Sequence, residues 1–133
     1  MSVLAAESLD LRYGLLQAVH DVSFQIEKGE IVAFVGANGA GKTTLFRAMA
    51  GAHRPAGGRV LLGDEDVTHI PDHDRVKKGI VLVPEGRRLF THMTVYENLV
   101  LGRAAGRKGH WDVDTVMEVF PNLASRLKQR SGT

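Results

Sequence analysis

An apolar run that feeds directly into a glycine-rich loop constrains this chain more than any other feature. Ile31-Val32-Ala33-Phe34-Val35 leads into Gly36-Ala37-Asn38-Gly39-Ala40-Gly41-Lys42-Thr43, followed by Thr44 and apolar residues at helical spacing, Leu45, Ala48 and Met49. A polyphosphate needs backbone N–H groups converging from a turn that side chains would block, and a helix start whose dipole favours anions. Gly36, Gly39 and Gly41 supply the turn, Lys42 supplies a cation for the β and γ phosphates, and the Thr43 hydroxyl can ligate a bridging Mg²⁺. Such a pattern arises by chance in roughly half a percent of chains this long, and the glycine-rich composition raises that about twofold. The strand before it and the helix after it weigh against an ordinary glycine turn with an exposed lysine.

Around this loop the chain divides legibly. Leu9, Leu11 and Tyr13 alternate, as do Val22, Phe24 and Ile26, which predicts an antiparallel pair of strands. Ile31 to Val35 and Ile80 to Val83 are apolar without alternation, the pattern of strands covered on both faces. Gly57-Gly58 opens a short strand to Leu62, and Gly63-Asp64 turns it towards Val67 as a hairpin. Pro71 is expected at the first position of a short helix with Asp72 and Asp74 in its first turn, Lys77 and Lys78 in its last, and Gly79 after it. Thr94 to Glu97 fits a capping box opening a helix through Leu101. Asp112 is expected to cap another, carrying Val113, Val116, Met117 and Phe120 and stopping at Pro121, with Gly102 to Gly109 as a linker-like stretch.

The bulk numbers fit one soluble folded unit. The 133 residues are 44% apolar and 24% charged, with a formal net charge of +2, too weak a basic excess to argue for nucleic acid. The chain has no cysteine, which excludes disulfides and thiolate metal sites. No apolar run approaches the ~18 to 20 residues that span a bilayer, so any membrane role goes through a partner. Other candidate sites are weaker. His69 and His73 flank Pro71 and need not share a face, so a metal site there is rejected. Asp64-Glu65-Asp66 reads as a solvated turn, and Tyr96 and Trp111 as helix anchors. Ile80 to Glu85 imitates the strand-plus-carboxylate motif of NTPases, but Pro84 and Gly86 argue against that assignment.

Four segments together resemble the ATP-binding subunit of ABC transporters: LRYG with VHDVSFQIEKGEIVAFVGANGAGKTTL, the hairpin GGRVLLGDEDVTHIP, GIVLVPEGRRLFTHMTVYENLVLG, and VFPNLASRLKQRSGT. VPEGRRLF followed by MTVYENL is similar to the branched-chain amino-acid importer subfamily. The resemblance implies an α/β P-loop NTPase of ABC type. Residues 1–90 would hold an antiparallel β subdomain and part of a RecA-like core, and residues 91–133 the start of the helical subdomain.

It further implies that Tyr13 stacks on adenine, that Val19 packs near the base, and that Gly36, Ala37, Asn38, Gly39, Ala40, Gly41, Lys42, Thr43 and Thr44 hold the phosphates. Glu85 stands where most of the superfamily has a glutamine that senses the γ-phosphate and Mg²⁺, so Thr43 and Glu85 become the Mg²⁺ ligands. Arg87, Arg88 and Phe90 fall where the family meets a transmembrane coupling helix. The implied cofactors are ATP and Mg²⁺. The implied partners are membrane permease subunits and a second nucleotide-binding subunit, on the cytoplasmic face of the membrane, with no nucleic acid.

In the family a segment like RLKQRSGT runs on into an LSGGQ signature, an Asp-Glu pair and a switch histidine, none of which lies within these 133 residues. A truncated form is therefore expected, with no complete catalytic set, negligible hydrolysis, and self-association or strand exchange through uncovered strands. The alternatives are a soluble ABC-type ATPase of DNA repair or translation, and a non-catalytic truncated module.

Overall fold

The computed structural model describes residues 2–36, 41–84, 86, 89–106 and 109–132. They form two compact units, Met1–Leu82 and Val83–Thr133, so the division falls ahead of the expected boundary at residue 90.

The first unit is built on a four-stranded antiparallel sheet in the order β2-β1-β3-β4, with β1 Ser2–Tyr13, β2 Leu16–Glu27, β3 Gly57–Leu62 and β4 Glu65–Asp66. The alternation expected along β1 and β2 is present, but each strand changes phase once. Ala6 and Leu9 are both buried although they lie three positions apart, a step that strict alternation would put on opposite faces. Ser8, with φ +49°, is the bulged residue that re-phases the strand, and its N–H donates to Ser23 Oγ at 2.8 Å. The bulge brings the Ser8 carbonyl onto Gly58, where any Cβ would collide with it, so β3 can pair with β1 only through a glycine. Asp21, with φ +48°, does the same between Val19 and Val22.

Two helices complete this unit. α1, Lys42–Ala50, lays Leu45, Ala48 and Met49 against Ala6, Leu9, Leu11 and Val19 of the β1–β2 pair and against Val60, in a core that also takes in Val67 and Ile80. α2, Asp72–Lys78, ends at Gly79 as expected, in the left-handed conformation. Its start is one residue later than predicted: Pro71, at ψ 163°, is extended and serves as the N-cap. Next to α2 the Thr68 hydroxyl is buried, accepts from Val60 N–H at 2.9 Å and donates to Asp66. That contact, with the Thr68 N–H, holds the Asp66 carboxyl below its usual value.

The two expected buried strands require correction. Residues 31–36 and 80–84 form no ladder among the described residues; Ile31 is 98% and Val35 95% exposed. A fully apolar strand signals a need for cover on both faces, and none of the described strands pairs with either segment. Phe34 ties its segment to the first unit, meeting Phe24 and Phe46 edge-on at 4.8 and 5.4 Å between centroids.

The second unit holds α3 Val95–Leu101, a 3₁₀ turn Gly102–Ala105, α4 Val113–Val119 and α5 Pro121–Ala124. Pro121 does not simply stop α4. It sits at the first position of α5, where its missing N–H costs nothing. Asp112 caps α4 as expected and makes a full capping box with Thr115, which holds its carboxyl below the usual range. The orphan amides at the start of α3 are met by the chain's last stretch: Val95 N–H donates to Gln129 O at 2.9 Å and Tyr96 N–H to Leu127 O at 3.0 Å. Asn98 fastens the same region, donating to Phe90 O, Thr94 O and Ser131 Oγ while accepting from Phe90 N–H.

None of the described residues in this second unit is fully buried, so end contacts matter more here than packing. The Thr94–Glu97 box is complete: Glu97 N–H donates to Thr94 Oγ1 at 3.1 Å, and Thr94 N–H to Glu97 Oε2 at 2.9 Å. Thr94→Ala is expected to weaken α3 by about 1 kcal/mol, read as roughly fivefold faster hydrogen exchange at Glu97 and Asn98 with amides of the first unit unchanged. Unchanged exchange at Glu97 would show that the cap contributes nothing.

Candidate functional site

Of the residues singled out from the sequence, Tyr13, Val19, Gly36 and Gly41 to Thr44 lie at or beside the start of α1. Gly41 is its N-cap, at φ 89° and ψ 8°. A Cβ there would lie 2.5 Å from Ala18 O and 2.8 Å from Val19 Cγ2, so the helix start is pressed onto β2 and tolerates only glycine. Leu45 N–H closes the first helical turn on Gly41 O at 2.9 Å. No acidic side chain occupies the first turn and no side chain caps it, which leaves the positive end of the helix open to an anion.

Lys42 reaches back along the loop, its Nζ donating to Gly36 O at 2.6 Å, while the Thr43 side chain is exposed. Thr44 is buried, and its Oγ1 lies 3.1 Å from Tyr13 Oη. The last residue of β1 thus places a 47% exposed phenol ring beside the first turn of the helix. Val19 is only 7% exposed and belongs to the core, where it supports Gly41. Ala37, Asn38, Gly39, Ala40, Glu85, Arg87 and Arg88 lie outside the described residues.

Two residues that sequence reasoning passed over bear on this arrangement. His53 packs on the Tyr13 ring with centroids 4.7 Å apart. Arg75, 1% exposed, donates to the carbonyls of Ala48 and Met49 at the end of α1, and to those of Thr68 and Ile70. Burial pulls its pKa down from the ordinary value, but the guanidinium remains charged. Nothing in the run Asp72-His73-Asp74-Arg75 distinguishes it from a solvated helix face; only its position over the end of α1 does.

A family model described as "ABC transporter" matches residues 19–131, most of the chain and the whole of the loop and helix just described. The chain belongs to the ABC transporter family. Among its relatives, the high-affinity branched-chain amino acid transport ATP-binding protein BraG of Pseudomonas aeruginosa is 42% identical over 133 residues, 98% of this chain and 57% of that protein. The lipopolysaccharide export system ATP-binding protein LptB of Haemophilus influenzae is 41% identical over 100 residues, 75% of this chain and 42% of that one. An ATP-binding cassette of an ABC transporter, solved in its ADP conformation, superposes with a TM-score of 0.77 at 25% identity and covers 99% of this chain and 58% of that structure. This ABC family member thus spans about half the length of these relatives, from 42% to 58%, and the expected ABC-type α/β fold class holds.

Proposed function

We propose that this ABC family chain binds ATP and is the nucleotide-binding portion of an importer subunit for branched-chain or related amino acids. The observation that carries the reading is the start of α1, where a left-handed glycine precedes Lys42 and Thr43, Thr44 Oγ1 lies beside the Tyr13 hydroxyl, and no acidic side chain stands in the first turn to compete with a phosphate. The loop 36–43 with Thr44 holds the phosphates, Lys42 neutralises the β and γ charges, and Tyr13 offers its ring to adenine. Val19 acts from behind, by holding the helix start against β2.

Mg²⁺ would be held by the exposed Thr43 hydroxyl on the first turn of α1 and, as the resemblance implies, by Glu85, and would supply positive charge to offset that of the phosphates. Transport in this reading is powered by ATP binding and hydrolysis in a pair of nucleotide-binding subunits docked on membrane permease subunits. Among the described residues no helix is long and apolar enough to cross a membrane, and attachment at the inner face would run through the permease.

The similarity to BraG supports the importer assignment over a soluble ATPase of DNA repair or translation. A tagged chain expressed with branched-chain permease subunits is expected to co-purify with them from detergent extract. Recovery with ribosomes or DNA instead would overturn the importer reading.

A further inference from the structure

α1 supports the Tyr13 ring at two points. In the first turn Thr44 Oγ1 lies 3.1 Å from the phenol oxygen, and just past the other end of the helix His53 packs against the ring at 4.7 Å with the planes tilted by 59°. The backbone carrying His53 is itself held by the helix. Gly51 ends α1 at φ 90°, and the N–H groups of Ala52 and His53 both donate to Arg47 O, at 2.8 and 3.3 Å. His53 Nε2 is buried and has no hydrogen-bond partner among the described residues. A buried, unpaired ring nitrogen costs stability, so an apolar side chain would serve a purely structural role better here. What the imidazole contributes is a flat ring against Tyr13, while about half of Tyr13 stays open to a ligand.

We infer that His53 is a positioning residue for nucleobase binding: it backs the Tyr13 ring and fixes the plane on which a purine nucleotide stacks. This rests on the reading that Tyr13 contacts the base. Preorganising an aromatic platform removes part of the ordering cost of binding, and one aromatic contact corresponds to about a three- to tenfold effect on affinity.

The test is calorimetric titration of ATP and of inorganic tripolyphosphate, each with Mg²⁺, into the wild-type chain and the variants Tyr13→Ala, His53→Ala, His53→Leu and His53→Phe. Tyr13→Ala, His53→Ala and His53→Leu are expected to weaken ATP binding about three- to tenfold and leave tripolyphosphate unchanged, whereas His53→Phe restores wild-type ATP affinity. His53→Leu fills the space without a flat ring, so the question stays open to decision even if the alanine variant does not fold. Equal losses for ATP and tripolyphosphate in the His53 variants would reduce His53 to a general structural role and overturn the inference. If Tyr13→Ala weakens ATP while His53→Ala and His53→Leu do not, the inference alone fails. If Tyr13→Ala leaves ATP untouched, or the wild type binds neither ligand, the base-platform reading fails and takes the inference with it.

Discussion

Lys42→Ala is expected to weaken Mg-ATP binding by about 10- to 100-fold while leaving the thermal midpoint of the chain nearly unchanged. A hydrogen bond to a charged group contributes roughly 1.5 to 3 kcal/mol, and here both partners would be charged, an ammonium and a phosphate oxygen. Without ligand the ammonium donates to Gly36 O, an exposed carbonyl that water can satisfy equally well, so the substitution costs the fold little. The effect should therefore appear in the binding constant and not in stability. Calorimetric titration of the two proteins, paired with thermal melts, separates the two. Equal affinities would remove the phosphate-cradle reading, and a large fall in the melting temperature would show that Lys42 also serves the fold.

Arg75→Met is expected to have the largest effect on stability, about 3 to 5 kcal/mol, read as a shift of the urea midpoint. Its guanidinium satisfies the carbonyls of Ala48, Met49, Thr68 and Ile70 at 2.7 to 2.9 Å, all on the protein side of a 1% exposed residue. Two of these carbonyls belong to the last turn of α1, where the helix dipole also favours a cation. Methionine fills much of the volume but donates nothing, leaving several buried acceptors unpaired. Arg75→Lys should recover only part of the loss, because a single ammonium cannot span acceptors that the planar fork reaches in several directions. Since native domains are stable by only about 5 to 15 kcal/mol, such a loss brings this one near unfolding. A midpoint shift equivalent to less than about 1 kcal/mol would mean that water replaces the guanidinium.

Both positions start from charged residues, yet only one was legible without coordinates. Lys42 follows a glycine spacing that has few uses other than holding phosphate, and local geometry dictates its position. Arg75 sits in a helix whose charges all suit its dipole, so its sequence context reads as solvent-facing. Its burial follows from the packing of α2 beside the end of α1, a contact between residues more than twenty apart in the chain. His53 was equally unreadable, because its role exists only through Tyr13, which β1 brings to it from a distant part of the sequence.

Features set by short-range chemistry could be read from the amino-acid order. These are the antiparallel β1–β2 alternation, the hairpin at Gly63, the left-handed glycines that end α1 and α2, the capping box of α3, the Asp112 cap of α4, and the helix that starts at Lys42. Each depends on residues within a few positions of one another, where backbone sterics and local hydrogen bonds act. Tertiary structure decided whatever needed a distant partner. The apolar runs at 31–35 and 80–83 expressed a demand for cover, but pairing belongs to two segments and cannot be read from one. Likewise Val19 became the support beneath Gly41, and Tyr13 was set against Thr44 and His53, only when β1, β2 and α1 packed together. The glycine spacing is a local feature; the place of the Tyr13 ring beside Thr44 and His53 is set by the packing of β1 and α1.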